Sequence, residues 1–116
     1  MRILVIGDVT SAAGVEHLSR KLWKFRELEK VDFCVVNGEN ASFVTGISGE
    51  LAEVLIRAGA DCISGGNHTL RNHKAYGFLE ERCEMIRPAN FGDAAPGRGY
   101  TVLDCRGYRI DRKSVV

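Results

Sequence analysis

"RILVIG" (Arg2–Gly7) runs through Ile, Leu and Val without a polar interruption after its first residue. A half-buried strand alternates apolar and polar residues, so an unbroken run of this length fits a strand covered on both faces, as in a parallel sheet. "DFCVVNG" (Asp32–Gly38) and "DCIS" (Asp61–Ser64) have the same character and predict a second and third strand. Between the first two, the loop-like "DVTSAAG" (Asp8–Gly14) is followed by Val15, Leu18, Leu22 and Phe25 at helical spacing among charged residues. A second helix follows, with Ser48 as N-cap, Glu50 in the first turn, Leu51, Val54, Leu55 and Ala58 as its stripe, and Gly59 as terminator. A shorter helix is predicted from His73 to about Arg82, with Tyr76, Phe78 and Leu79 inward. "MIRPAN" (Met85–Asn90) reads as a fourth strand stopped by Pro88, "DAAPGRG" (Asp93–Gly99) as turn chemistry, and "YTVLDCRGYRI" (Tyr100–Ile110) as a hairpin with Arg106-Gly107 at its tip. Alternating strands and helices imply right-handed crossovers, hence an α/β fold: a mainly parallel sheet with flanking helices in one domain spanning residues 1–116.

Composition narrows the function. The chain has 116 residues, 45% of them hydrophobic, and a formal net charge of +1. No basic run is long enough to grip DNA, and no apolar stretch approaches the roughly 20 residues that span a bilayer. The first residues read as a strand, not a secretion signal. Cys34, Cys62, Cys83 and Cys105 lie far apart with no CxxC, so buried, reduced thiols and a cytoplasmic location are expected.

In open α/β sheets, ligands gather beyond the carboxyl ends of the strands. Three successive strands here end in a glycine followed by potential ligands: Gly7-Asp8, Gly38-Glu39-Asn40 and Gly66-Asn67-His68. Taken singly, Asp8 could cap the next segment, Glu39 and Asn40 could bond loop backbone, and His68 could be an ordinary loop histidine. Together they suit one chemistry. Carboxylate and amide oxygens bind hard or borderline divalent ions, and two such ions clamp a phosphoryl group and activate water. An adjacent imidazole would then protonate the leaving oxygen. GxGxxG, the Gly-Lys-Ser/Thr of a P-loop and the GxSxG nucleophile elbow are absent. His17, Trp23 and His73 read as surface or packing residues, and Arg87 as half of a structural ion pair.

"RILVIGDV", "VVNGENA", "GADCISGGNHT" and "IRPANF", in that order, resemble the amino-terminal half of a bacterial branch of the calcineurin-like metallophosphoesterases, known as 2′,3′-cyclic-nucleotide 2′-phosphodiesterases. The resemblance covers residues 1 to about 110 and implies the first half of an α-β-β-α sandwich. It implies Asp8, Glu39, Asn40 and Asn67 as metal ligands, with Glu39 bridging two divalent ions, iron or manganese, and His68 as proton donor. The implied substrates are small phosphodiesters such as cyclic nucleotides, with neither DNA nor membrane as partner. Leu70-Arg71 and Ser11–Gly14 depart from the family's usual residues beside these motifs. Relatives run to about twice this length and draw three further histidine ligands from their second half. "DRKSVV" (Asp111–Val116) does not continue an apolar strand, so a truncated or frame-shifted product of impaired activity is expected, with an exposed sheet face that favours homo-oligomers. The alternatives are a non-catalytic nucleotide- or phosphate-binding module and a self-assembling α/β module.

Overall fold

The computed structural model describes residues 1–116. Four parallel strands, β1 (Ile3–Thr10), β2 (Phe33–Asn40), β3 (Cys62–Ser64) and β4 (Met85–Ile86), lie side by side in chain order. Helices α1 (Ser11–Glu29), α2 (Gly49–Ala58) and α3 (Tyr76–Glu81) connect them. Strands β5 (Tyr100–Cys105) and β6 (Tyr108–Lys113) form the expected antiparallel hairpin, turning at Arg106-Gly107 with both φ angles positive.

Side-chain alternation sorts the sheet into two faces. Cys34, Val36, Ile63 and Met85 enter the main core with Val15, Leu22, Leu55 and Leu79 from the helices. Phe33, Val35 and Cys62 point the other way and pack against Leu103, Cys105 and Ile110 of the hairpin. The hairpin therefore supplies a cover that was expected to be missing. It does not reach β1, which is an edge strand: Leu4 and Ile6 pack on the core, while Ile3 and Val5 are 51% and 68% exposed. The doubly covered reading of Arg2–Gly7 thus holds for β2 and β3 but fails for β1, because an apolar run shows strand character without showing position in the sheet.

Several boundaries also moved. The predicted loop at Asp8–Gly14 is absent: β1 runs to Thr10 and α1 begins at Ser11, whose φ of 64° makes the junction in one residue. Phe25 is exposed, and buried Arg26 takes the inward place on α1. On α2 the Ser48 cap is present, its hydroxyl accepting from the Leu51 N–H, and Gly59 ends the helix at φ 116°. Ala52 is buried there and Val54 is outward. The third helix starts as a 3-10 turn at His73–Ala75 and is regular only over Tyr76–Glu81. "DRKSVV" is built into the fold. Strand β6 continues to Lys113, Ser114 pairs in parallel with Pro88, and its buried hydroxyl donates to the Gly65 carbonyl at 2.7 Å.

Candidate metal and catalytic site

A pair of register breaks prepares the site. Ile6 pairs with Val36 but Asp8 with Asn37, so Gly7 is an extra residue on β1. Asp8 pairs with Asn37 and Thr10 with Asn40, which puts an extra residue on β2. The inward set on β1 consequently passes from Leu4 and Ile6 to Val9. Without the first bulge, Asp8 would continue the core-facing series of Leu4 and Ile6; with it, Asp8 is exposed at the strand end.

The side chains from three strand ends then meet. The Asn40 amide nitrogen donates to both Asp8 oxygens, at 3.0 and 2.9 Å. Its oxygen lies 2.6 Å from His68 Nδ1. The Glu39 carboxylate accepts from the His68 backbone N–H at 3.1 Å. Asp8, Glu39, Asn40 and His68 are thus one connected group. Asn67 is exposed beside them, and its side chain enters no hydrogen bond.

Sequence reasoning missed the residues that hold these groups in place. Asn37 accepts from the Glu39 N–H at 3.0 Å, an Asx-type turn whose signal is an Asn two residues earlier. Thr69 is fully buried, and its hydroxyl both accepts from the Gly66 N–H and donates to the Gly66 carbonyl, each at 2.8 Å. The three glycines also differ in purpose. A Cβ on Gly66 would lie 2.3 Å from both Glu39 carboxylate oxygens, whereas one on Gly38 would press on Ile47 and Ile63 of the core. One on Gly7 would meet nothing. Close approach to a ligand therefore explains Gly66 at most.

The donor chemistry suits a hard divalent cation: the Asp8 carboxylate stands beside the Asn40 amide, and the Glu39 carboxylate beside the His68 backbone N–H. It is thin for two enclosed ions, since no three His, Cys, Asp or Glu side chains gather in a metal-binding group. As placed, Asn40 bridges Asp8 and His68 with both ends of its amide. Coordination by its oxygen requires the His68 contact to give way or be shared.

Other expected roles resolve simply. His17 and His73 are exposed, the latter with its ring 5.0 Å from that of Tyr76. Trp23 packs under the Arg26 guanidinium and donates from its indole to the Arg57 carbonyl. Arg87 forms no ion pair; it is buried, donates to the Pro88 carbonyl and leaves its Nε unmatched. Cys34 and Cys62 are buried as expected, and burial pushes their thiols up to about 11 and about 12. Cys105 is half-buried and Cys83 is exposed, so burial does not extend to all four. A concavity of about 540 Å³ lies away from the site, beside Arg26, Asp32 and Arg106. A groove of about 490 Å³ adjoins the site between Ser42–Thr45 and Arg71–Lys74.

A parallel sheet with polar groups converging beyond its carboxyl ends is the α/β arrangement of the metallophosphoesterases. A solved Mycoplasma pneumoniae structure described as a novel phosphatase superposes with a TM-score of 0.87 at 26% identity, over 97% of this chain and 42% of that one. A Thermus thermophilus protein described as hypothetical superposes with a TM-score of 0.90 at 32% identity, over 99% of this chain and 44% of that one. The chain belongs to the YmdB-like protein family, whose model matches residues 4–114. It is 36% identical over 110 residues to the 2′,3′-cyclic-nucleotide 2′-phosphodiesterase of Bacillus subtilis (strain 168). That match covers 95% of this chain and 42% of the relative, so the chain spans about two fifths of the length of the curated protein it resembles. No helix is long and apolar enough to cross a membrane.

Proposed function

We propose that this chain carries part of the metal-dependent centre of a phosphodiesterase acting on small phosphodiesters, 2′,3′-cyclic nucleotides among them. The connected group Asp8–Asn40–His68, with Glu39 beside it, is the observation that supports this reading. Asp8 and Glu39 hold divalent iron or manganese, with Asn40 and Asn67 as amide ligands. Bound there, the ions supply the Lewis acidity that polarises a phosphoryl group and activates water. His68 turns Nδ1 towards Asn40, which leaves Nε2 to face the leaving oxygen. In the imidazolium form, Nε2 carries the proton that the departing oxygen needs.

Two carboxylates and two amides bind a second ion weakly, so turnover by this chain is low and cytoplasmic metal supply matters to it. The exposed β1 edge, with Ile3 and Val5, favours self-association. Hydrolysis of bis(p-nitrophenyl) phosphate and adenosine 2′,3′-cyclic phosphate, measured with and without Mn²⁺, tests the assignment. Metal-dependent hydrolysis is expected, slower than that of the Bacillus subtilis relative and reduced at least about 100-fold by Asp8→Ala or Glu39→Ala, in line with loss of a charge-stabilising group. Nucleotide affinity that survives both substitutions and chelation, without any hydrolysis, overturns it. A rate equal to the relative's overturns the claim of low turnover.

A further inference from the structure

The groove beside the site has two unlike walls. One is the loop after β2, where Phe43 and Val44 are 96% and 82% exposed. The other is the segment after His68, where Arg71, His73 and Lys74 are exposed. Neither Arg71 nor Lys74 enters any of the chain's ion pairs. The protein's own packing thus uses neither the phenyl ring nor these two cations.

The walls are held in register. The Asn72 amide donates to the Ser42 hydroxyl at 3.1 Å, and its oxygen accepts from the Lys74 N–H at 3.1 Å. Gly46, at φ 78°, lies so near the second wall that a Cβ there would come within 2.8 Å of the Asn72 Cβ and 3.2 Å of the His68 carbonyl oxygen. Both walls also grow directly from the site: one follows Glu39 and Asn40, the other follows His68. On the phosphodiesterase reading, a substrate with its phosphoryl group at the site would extend towards this groove past His68.

We infer that the groove between Ser42–Thr45 and Arg71–Lys74 is a nucleoside subsite, in which Phe43 stacks on the base and Arg71 and Lys74 hold anionic oxygens of the same nucleotide. An aromatic face offers a base sequence-tolerant stacking, and cations facing it add phosphate attraction. The inference rests on the phosphodiesterase reading for the position of the reacting phosphate, but not for nucleotide binding itself. It adds a selectivity: a phosphodiester bearing a base binds better than one without.

Calorimetric titration with adenosine 3′-monophosphate and, separately, ribose 5-phosphate tests it. The nucleotide is expected to bind more tightly, and Phe43→Ala is expected to weaken it about tenfold while leaving the sugar phosphate unchanged. Phe43→Trp restores the affinity, and the double substitution Arg71→Gln with Lys74→Gln weakens both ligands and flattens their salt dependence. Equal affinity for the two ligands, an unaltered nucleotide affinity in Phe43→Ala, or no nucleotide binding overturns the subsite. If Phe43-dependent binding is present but metal-dependent hydrolysis is not, the subsite stands and the phosphodiesterase reading fails. If hydrolysis depends on Asp8 while Phe43→Ala changes nothing, the reverse holds.

Discussion

The Glu39 carboxylate occupies the space that a side chain on Gly66 would fill, with both oxygens 2.3 Å from the position of a Cβ there. This relationship joins the ends of β2 and β3 across the site. Gly66→Ala must therefore move Glu39 or the turn, and the turn is pinned by the buried Thr69 hydroxyl. We expect a stability loss of about 1–3 kcal/mol, as for other overpacked sites. We also expect loss of any Mn²⁺-induced rise in melting temperature, read by thermal denaturation with and without the ion.

Arg26 is an inward cation on α1. It is 9% exposed, pairs with Asp61 at 2.8 Å, and donates to the Gly59 and Asp32 carbonyls, while Asp61 accepts from the Cys34 N–H. Arg26→Leu takes the cation from Asp61, which keeps only the Cys34 N–H, and removes the guanidinium donor from the Gly59 and Asp32 carbonyls. Because Asp61 retains some access to water, the cost falls at about 2–3 kcal/mol, below that of a fully buried broken pair. Urea denaturation at neutral pH reads it, and an unchanged midpoint would show the network to be idle.

Glu84 gives the fold a dependence on acidity. Hydrogen bonding to Arg82 holds its carboxyl below the usual glutamate range, with Glu53 sharing the same guanidinium. Its folded value is depressed, so its stabilisation is complete above the unfolded value of about 4.3 and fades as pH falls through the folded value. Denaturation midpoints measured between neutral and strongly acid pH should fall less steeply for Glu84→Gln than for the parent. Parallel curves would refute the coupling.

The thiols differ enough to be counted one by one. Cys34 and Cys62 are buried with raised thiol values, whereas Cys83 is exposed. A maleimide at pH 8 should label Cys83 first and reach Cys34 and Cys62 only on unfolding. Peptide mapping checks the order.

Much of this was written in periodicity. The β2 and β3 runs, the Ser48 cap, the Gly59 terminator and the Arg106-Gly107 hairpin all come from local rules that tertiary packing left intact. The gathering of Asp8, Glu39, Asn40 and His68 was legible because one topological rule places the ends of parallel strands together. What stayed hidden depends on neighbours. Whether Val5 is covered is decided by strand order, and Asp8 faces out because Gly7 is a bulge, which a period-two pattern does not mark. Phe25 lost its inward place to Arg26 because a carbonyl and a carboxylate, far away in sequence, wait there for a cation. Nothing in "DRKSVV" marks Ser114 as a partner of Gly65, since that bond spans 49 residues.

That last bond imposes an order of events on the ribosome. The turn bearing Asn67 and His68 emerges early, but one of its carbonyls is satisfied only when Ser114 has been synthesised and laid beside Pro88. Contacts so distant in sequence close late. The nascent chain therefore carries an unfinished turn after β3 until Ser114 has been added.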